Sequence, residues 1–310
     1  MNIIPIVFAF DHHLIHPACI CISSLMMNAK ENTFYDIFIL HSKKERLNSV
    51  ELDKIPNYFK NCKIQYRAVG SEFDNAFEIR GITTPAYYRL LIPELIPEYD
   101  KVIYSDVDVI FRDDLSEIYA TDMTGYYMAG VISLSHLVPD YKDYYDGMNM
   151  DASKIIYSGN LIINSKLLLE DKLLDQFRNL AGNHYKFQDM DMINIVCRGK
   201  IKYLAPSFCL STFISENSVY HQDELTKIWT EQEMVDALKS GIVHYNGKKP
   251  WKGYCINFDI WWEYYRKSPF FDEKFYFDFF KDKLNEYDQL SLLKRIKILV
   301  RYFVYGRYKG

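Results

Sequence analysis

The sequence predicts an α/β protein built on one mixed sheet flanked by helices. Short apolar runs of strand length alternate with helical segments from the N-terminus onward. Hydrophobic residues make up 49% of 310 positions, enough for a sizeable core. No internal repeat and no Ser/Gly-rich linker divides the chain.

The elements follow in order. "IIPIVFAFD" is expected as a first strand, followed by a loop at "DHHLIHP". "ACICISSLMMNA" is apolar all round and predicts a buried helix. "YDIFILHS" and "CKIQYRAV" predict strands, with a helix in "LNSVELDKIPNYF" between them. "TTPAYYRLLIPELI" predicts one helix starting near Pro85, because proline suits a first helical turn. "YDKVIYSDVDVIF" supplies the next strand, and "YYMAGVIS" and "GNLIINSKLL" two more. "DMDMINIVCRG" predicts a helix closed by Gly199, and "GIVHYNG" a late short strand and turn.

Composition excludes several function classes. A formal net charge of −4 argues against a dedicated nucleic-acid binder. The six cysteines form no CxxC pair, so buried free thiols in a reducing, cytoplasmic compartment are expected. The apolar start lacks the basic region of a signal peptide, since the first lysine is Lys30. No run reaches membrane-span length.

The composition changes toward the end, and the sequence divides into residues 1–265 and a helical extension over 266–310. Lys294, Arg295, Lys297, Arg301, Arg307 and Lys309 are interleaved with Ile296, Ile298, Leu299, Val300 and Phe303, with no acid. This basic amphipathic pattern fits either a helix on an anionic membrane surface or a docked helix with a solvated face. Trp261 and Trp262 in "FDIWWEYYRKSPFF" are expected in the core of a packed helix, with a sugar-stacking surface as the alternative.

Four segments carry candidate chemistry. Asp106 and Asp108 interrupt a strongly apolar stretch, and at a strand end residues i and i+2 point to one side. A shared divalent cation would offset their repulsion and burial; a solvated loop pair is the alternative. In "GIVHYNGKKPWKG", His244, Gly247 and Lys249 offer an imidazole, a turn and a point charge for a metal-bound diphosphate, or form a plain surface turn. Asp189 and Asp191 open a helix, where the macrodipole alone justifies acids. Arg89, set among apolar residues, requires an anion, either a ligand phosphate or a structural carboxylate. His12, His13 and His16 fit loop histidines better than a metal trio.

Taken together, "IVFAFD", "TTPAYYRL", "KVIYSDVDVIF", "GNLIINSKLL", "FQDMDMIN" and "HYNGKKPW" resemble glycosyltransferase family 8. The resemblance implies a GT-A fold and retaining transfer of a hexose, glucose or galactose, from a UDP-sugar to a glycan or lipid-linked glycan in bacterial surface-polysaccharide synthesis. It implies Mn2+, with Mg2+ as a substitute, bound by Asp106, Asp108 and His244. Gly247 and Lys249 match the diphosphate contacts, Ala9 and Asp11 the uracil pocket, with His13 beside it, and Val107 the ribose. Arg89 and Asp189 match donor-sugar contacts, and Asp189 and Asp191 carry the catalytic assignment. The sequence departs from the family where Leu14 replaces the uracil-stacking aromatic, His13 a neighbouring Asn, and Met190 a Gln near the anomeric centre. A metal-dependent phosphohydrolase and a non-catalytic sugar-nucleotide binder are the alternatives.

Overall fold

A computed structural model describes residues 2–44, 47, 49–73, 76–78 and 84–305, the last five as backbone. Asn48, Thr83, Arg307 and Lys309, which fall in segments quoted above, lie outside the described residues. Contacts divide the chain into two units, Met1–Pro269 and Phe270–Gly310.

The first unit holds a seven-stranded mixed sheet. Its strands are β1 (Asn2–Ala9), β2 (Thr33–Ser42), β3 (Cys62–Val69), β4 (Lys101–Ser105), β6 (Met128–Gly130), β7 (Asn160–Asn164) and β8 (Ile201–Tyr203), in the order β3-β2-β1-β4-β7-β6-β8. Only β7 runs against its neighbours. A second sheet joins β5 (Val109–Phe111), β10 (Ile242–His244) and β9 (Leu210–Ser211), with β10 central. The strand order reverses beside β1: β2 lies on one side and β4 on the other, both parallel to it. The crevice beyond the carboxyl ends at such a switch point is where open α/β sheets bind ligands. Val7 pairs with Tyr104, which carries Ala9 level with Asp106 at that edge.

The densest apolar segments behave as their patterns require. β1 buries Ile4 and Ile6 to Phe8 completely, and the helix Ile15–Met27 is buried from Pro17 to Met26. Ser49 caps the helix Val50–Tyr58 by accepting from the Leu52 amide. Gly199 adopts φ +81°, the left-handed conformation that lets the chain leave the helix Asp189–Val196. Trp261 and Trp262 are buried at 1% exposure within the helix Phe258–Lys267, in accord with the core expectation.

Three expectations are corrected. The helix from Pro85 is broken into Pro85–Tyr88, a 3-10 turn Arg89–Leu91, and Ile92–Leu95. Pro93 has no amide to donate to the Arg89 carbonyl, and the Ile92 amide takes that acceptor one residue early. "GNLIINSKLL" does not continue as a strand, because the Asn164 side chain accepts from the Leu167 amide and starts the helix Ser165–Glu170. The strand through Asp106 and Asp108 is two strands in two sheets, with the acids in the turn between them.

The second unit contains the helices Glu273–Asp288 and Leu292–Tyr305. Among the described residues no helix is long and apolar enough to cross a membrane.

Candidate active site

The crossing from β4 to β5 builds the site. The Asp106 amide donates to the Gly159 carbonyl at 2.8 Å, and the Tyr245 amide to the Asp108 carbonyl at 2.9 Å. Asp106 is thereby fixed to the entry of β7 and Asp108 to the exit of β10. Val107 between them is buried.

Each carboxylate has one oxygen held by the protein and one facing His244. Asp106 Oδ1 accepts from the Tyr104 hydroxyl (2.7 Å) and from Arg89 Nη2 (2.9 Å). Asp108 Oδ2 is paired with Lys249 Nζ. His244 Nε2 lies 3.2 Å from Asp108 Oδ1 and 3.7 Å from Asp106 Oδ2. Each of the three residues offers one ligand atom, and these lie within 4.8 Å of one another; among the described residues no other group of His, Cys, Asp and Glu converges so. Two carboxylates and an imidazole suit a divalent cation such as Mn2+.

The surroundings fit that group. A Cβ at Gly159 would meet His244 Cε1 at 2.2 Å and Asp106 Oδ2 at 2.7 Å, so glycine is what lets the two ligands meet. The far nitrogen of the buried His244 lies 3.5 Å from Cys209 Sγ, which orients the ring as outer partners of metal-binding histidines do. Burial disfavours charge on His244, yet Asp108 overrides it and pushes the imidazole pKa up to about 10. Burial likewise opposes charge on Asp108, but Lys249 and His244 hold it well below the usual carboxylate range.

Arg89 ties this cluster to Asp189. It is 4% exposed, and its guanidinium lies 4.3 Å from the Tyr104 ring centroid. It donates to the carbonyls of Ala86 (2.8 Å) and Ser158 (2.5 Å), and its Nε lies 3.3 Å from Asp189 Oδ2. Its anions are thus the carboxylates of Asp106 and Asp189. Burial raises the Asp189 pKa, and the Arg89 charge opposes that rise.

A cleft of about 660 Å³ joins these groups: Arg89, Asp106, Asp108, Asp189, His244, Gly247 and Lys249 all line it. Asp191 does not. Two residues apart on a helix point some 200° apart, so the acids of Asp189–Val196 cannot share one face. Asp191 is fully buried and accepts from the Tyr144 and Tyr145 hydroxyls and the Phe187 amide at 2.7–2.8 Å. Ala9, Asp11, His13 and Val107 are not among the lining residues either. Asp11 instead caps the 3-10 turn His12–Leu14 through the His13 amide, and His13 is exposed beside His12.

The cleft also recruits residues that sequence reasoning did not select: Ser133, Ser135 and Tyr141, the Tyr157–Gly159 stretch, Phe187, and Thr212, Phe213 and Glu216. They come from separated loops and helix ends. "YSGN" was the available signal for Gly159, since a glycine just before a strand marks close approach; nothing local marked the others.

Comparison with known proteins agrees with this architecture. A galactosyltransferase, LgtC, whose crystal structure holds donor and acceptor sugar analogues, superposes with TM-score 0.69 at 21% identity, over 87% of this chain and 98% of that one. Among curated relatives, a Haemophilus influenzae protein assigned as a glycosyltransferase is 28% identical over 211 residues, 66% of this chain and 62% of the relative. An Escherichia coli lipopolysaccharide 1,2-glucosyltransferase is 24% identical over 244 residues, 76% of this chain and 69% of that protein. The chain thus spans less than two thirds of the Haemophilus relative. The family model for glycosyl transferase family 8 matches residues 5–255, which takes in both sheets, the two acids, His244 and the lysine turn after it. The chain belongs to glycosyl transferase family 8.

Proposed function

We propose that the chain transfers a hexose, glucose or galactose, from a UDP-sugar to a glycan or lipid-linked glycan acceptor, with retention at the anomeric carbon and with Mn2+ bound by Asp106, Asp108 and His244. The convergence of those three ligand atoms in a cleft that also presents Lys249 and Arg89 carries this reading. A divalent cation there would neutralise the diphosphate leaving group. Lys249, now paired with Asp108, is placed to turn to the same diphosphate beside Gly247. Asp189, buried and tied to Arg89, is positioned to hold the donor sugar's hydroxyls, and Asp191 to fix the start of its helix. Ala9 ends β1 level with Asp106 and Asp11 follows it as the cap of the next turn; the nucleoside would lie beside them. The family and the lipopolysaccharide enzyme among the relatives support bacterial surface-glycan assembly, on the cytoplasmic side, as the setting.

The test is a donor screen. With Mn2+ and UDP-glucose or UDP-galactose, release of UDP is expected, and chelation should abolish it. Tight UDP–Mn2+ binding with no turnover of any donor would favour a non-catalytic binder, a reading to which Met190 in the cleft lends weight.

The proton on His244 gives a pH signature. Its pKa is raised, so the metal-free imidazole is charged at neutral pH, and cation binding there must displace one proton. Mn2+ affinity is expected to rise with pH by up to ~10-fold per unit between about pH 6 and 9. Calorimetry in two buffers of different ionisation enthalpy should show about one proton released per ion; no release would contradict a charged imidazole paired with Asp108 in the metal-free site.

The second unit supports peripheral attachment to an anionic membrane. In the helix Leu292–Tyr305, Leu292, Leu293 and Val300 are more than half exposed, while Lys294, Arg295 and Lys297 supply positive charge. Truncation after Asp288 is expected to lower binding to phosphatidylglycerol vesicles at least ~5-fold, each basic residue near such a surface contributing about 1 kcal/mol. Equal partitioning of full and truncated chains would rule attachment out.

A further inference from the structure

The half of the cleft away from the metal ligands has a charge of its own. The helix Thr212–Tyr220 begins beside the lysine turn: the Thr212 amide donates to Asn246 Oδ1 at 3.1 Å, and Thr212 Cγ2 lies 3.8 Å from where a Gly247 Cβ would stand. Glu216 lies four residues on, so it occupies the same helix face one turn farther from the metal ligands. It is exposed, it lines the cleft, and among the described residues it has no ion-pair partner. The cleft's apolar lining includes Tyr141 and Phe187, edge to face at 4.8 Å, with Val138 and Phe213. Aromatic and aliphatic walls of this kind take the C–H face of a sugar ring, and a single polar group then fixes which substituents are admitted.

Among the residues that line the cleft no cation is left over for an anionic substituent; Lys186 Nζ, 4.8 Å from the Tyr141 ring centroid, donates to the Asp140 carbonyl and is not one of them. Arg89 and Lys249 are the arginine and lysine that line the cleft, and both are paired with its acids. Four carboxylates line it: Asp106, Asp108, Asp189 and Glu216. The two side-chain cations and a divalent ion would balance them, and the donor's diphosphate would then restore a negative excess. That excess persists even with Asp189 protonated.

We propose that Glu216 is a specificity-determining residue that makes the acceptor end of this cleft accept uncharged or amino-bearing sugars and reject carboxylated or phosphorylated ones. This deepens the transferase reading and rests on it. Glu216 is exposed at the cleft, so its repulsion of a second anion acts on approach as well as on binding and is screened by salt.

The test uses the full chain loaded with Mn2+ and UDP, and three probes that differ in one substituent: methyl β-glucoside, methyl β-glucosaminide and methyl β-glucuronide. Saturation-transfer NMR titration gives each affinity without requiring turnover. The glucuronide is expected to bind at least ~10-fold more weakly than the other two, and the gap should narrow in high salt. In Glu216→Lys the gap should close by ~5-fold or more, and in Glu216→Gln by part of that. Exposed Glu216 makes both variants compatible with folding, which thermal unfolding checks. Failure of UDP–Mn2+ to bind would remove the underlying site reading. With UDP–Mn2+ bound, the proposal is overturned by equal affinity for glucoside and glucuronide, by binding of none of the three, or by a ratio that Glu216→Lys leaves in place.

Discussion

Replacing Gly159 with alanine is expected to lower Mn2+ affinity at least ~10-fold while leaving the chain folded. The added methyl would stand 2.2 Å from His244 Cε1 and 2.7 Å from Asp106 Oδ2. Neither neighbour can yield cheaply. His244 is buried, with Cys209 behind it, and Asp106 is anchored through its other oxygen by Tyr104 and Arg89. One ligand must therefore turn away from the shared point. Overpacking of this kind costs about 1–3 kcal/mol, which a domain of this size tolerates. Calorimetric titration with Mn2+ checks it; a folded Gly159→Ala chain with unchanged affinity would mean that the three ligand atoms do not act together.

Asp108→Asn is expected to reduce Mn2+-dependent UDP binding at least ~100-fold, because it removes a ligand and the counter-charge for two cations. Lys249 and His244 both rely on Asp108. Breaking a fully buried pair costs roughly 3–5 kcal/mol. Asp108 and Lys249 keep 15% and 27% of their side chains exposed, so a smaller loss, about 1–3 kcal/mol, is expected here. Thermal unfolding separates the two effects. Wild-type protein should gain stability when Mn2+ and UDP are added, by mass action, and the variant should gain almost none. A full thermal shift in Asp108→Asn would contradict the assignment.

Much of the fold was legible because its central elements are continuous apolar runs. β1, β2 and the helix Ile15–Met27 leave no second pattern to choose. Misreading began where a short apolar run outlasts its strand. "YYMAGVIS" yields only Met128–Gly130, because Ile132 then pairs with Ile156 alone. β8 and β9 are three and two residues long, too short for any period to show. At the site, residue chemistry pointed to Asp106, Asp108 and His244, but not to their geometry. The i, i+2 argument assumed one strand, whereas the acids meet because a turn links two sheets. Arg89 visibly needed an anion, and only the fold shows that Asp106 and Asp189 provide it. Glu216 gave no signal at all: an exposed acid on a polar helix becomes part of a cleft only through the walls opposite it.

A crystal soaked in Mn2+ and UDP, measured at the manganese absorption edge, tests the central claim most directly. An anomalous peak bonded to Asp106 Oδ2, Asp108 Oδ1 and His244 Nε2, with the diphosphate completing its shell next to Lys249, is expected. Bound UDP with no peak among those three atoms, or a peak held by other side chains, would contradict it.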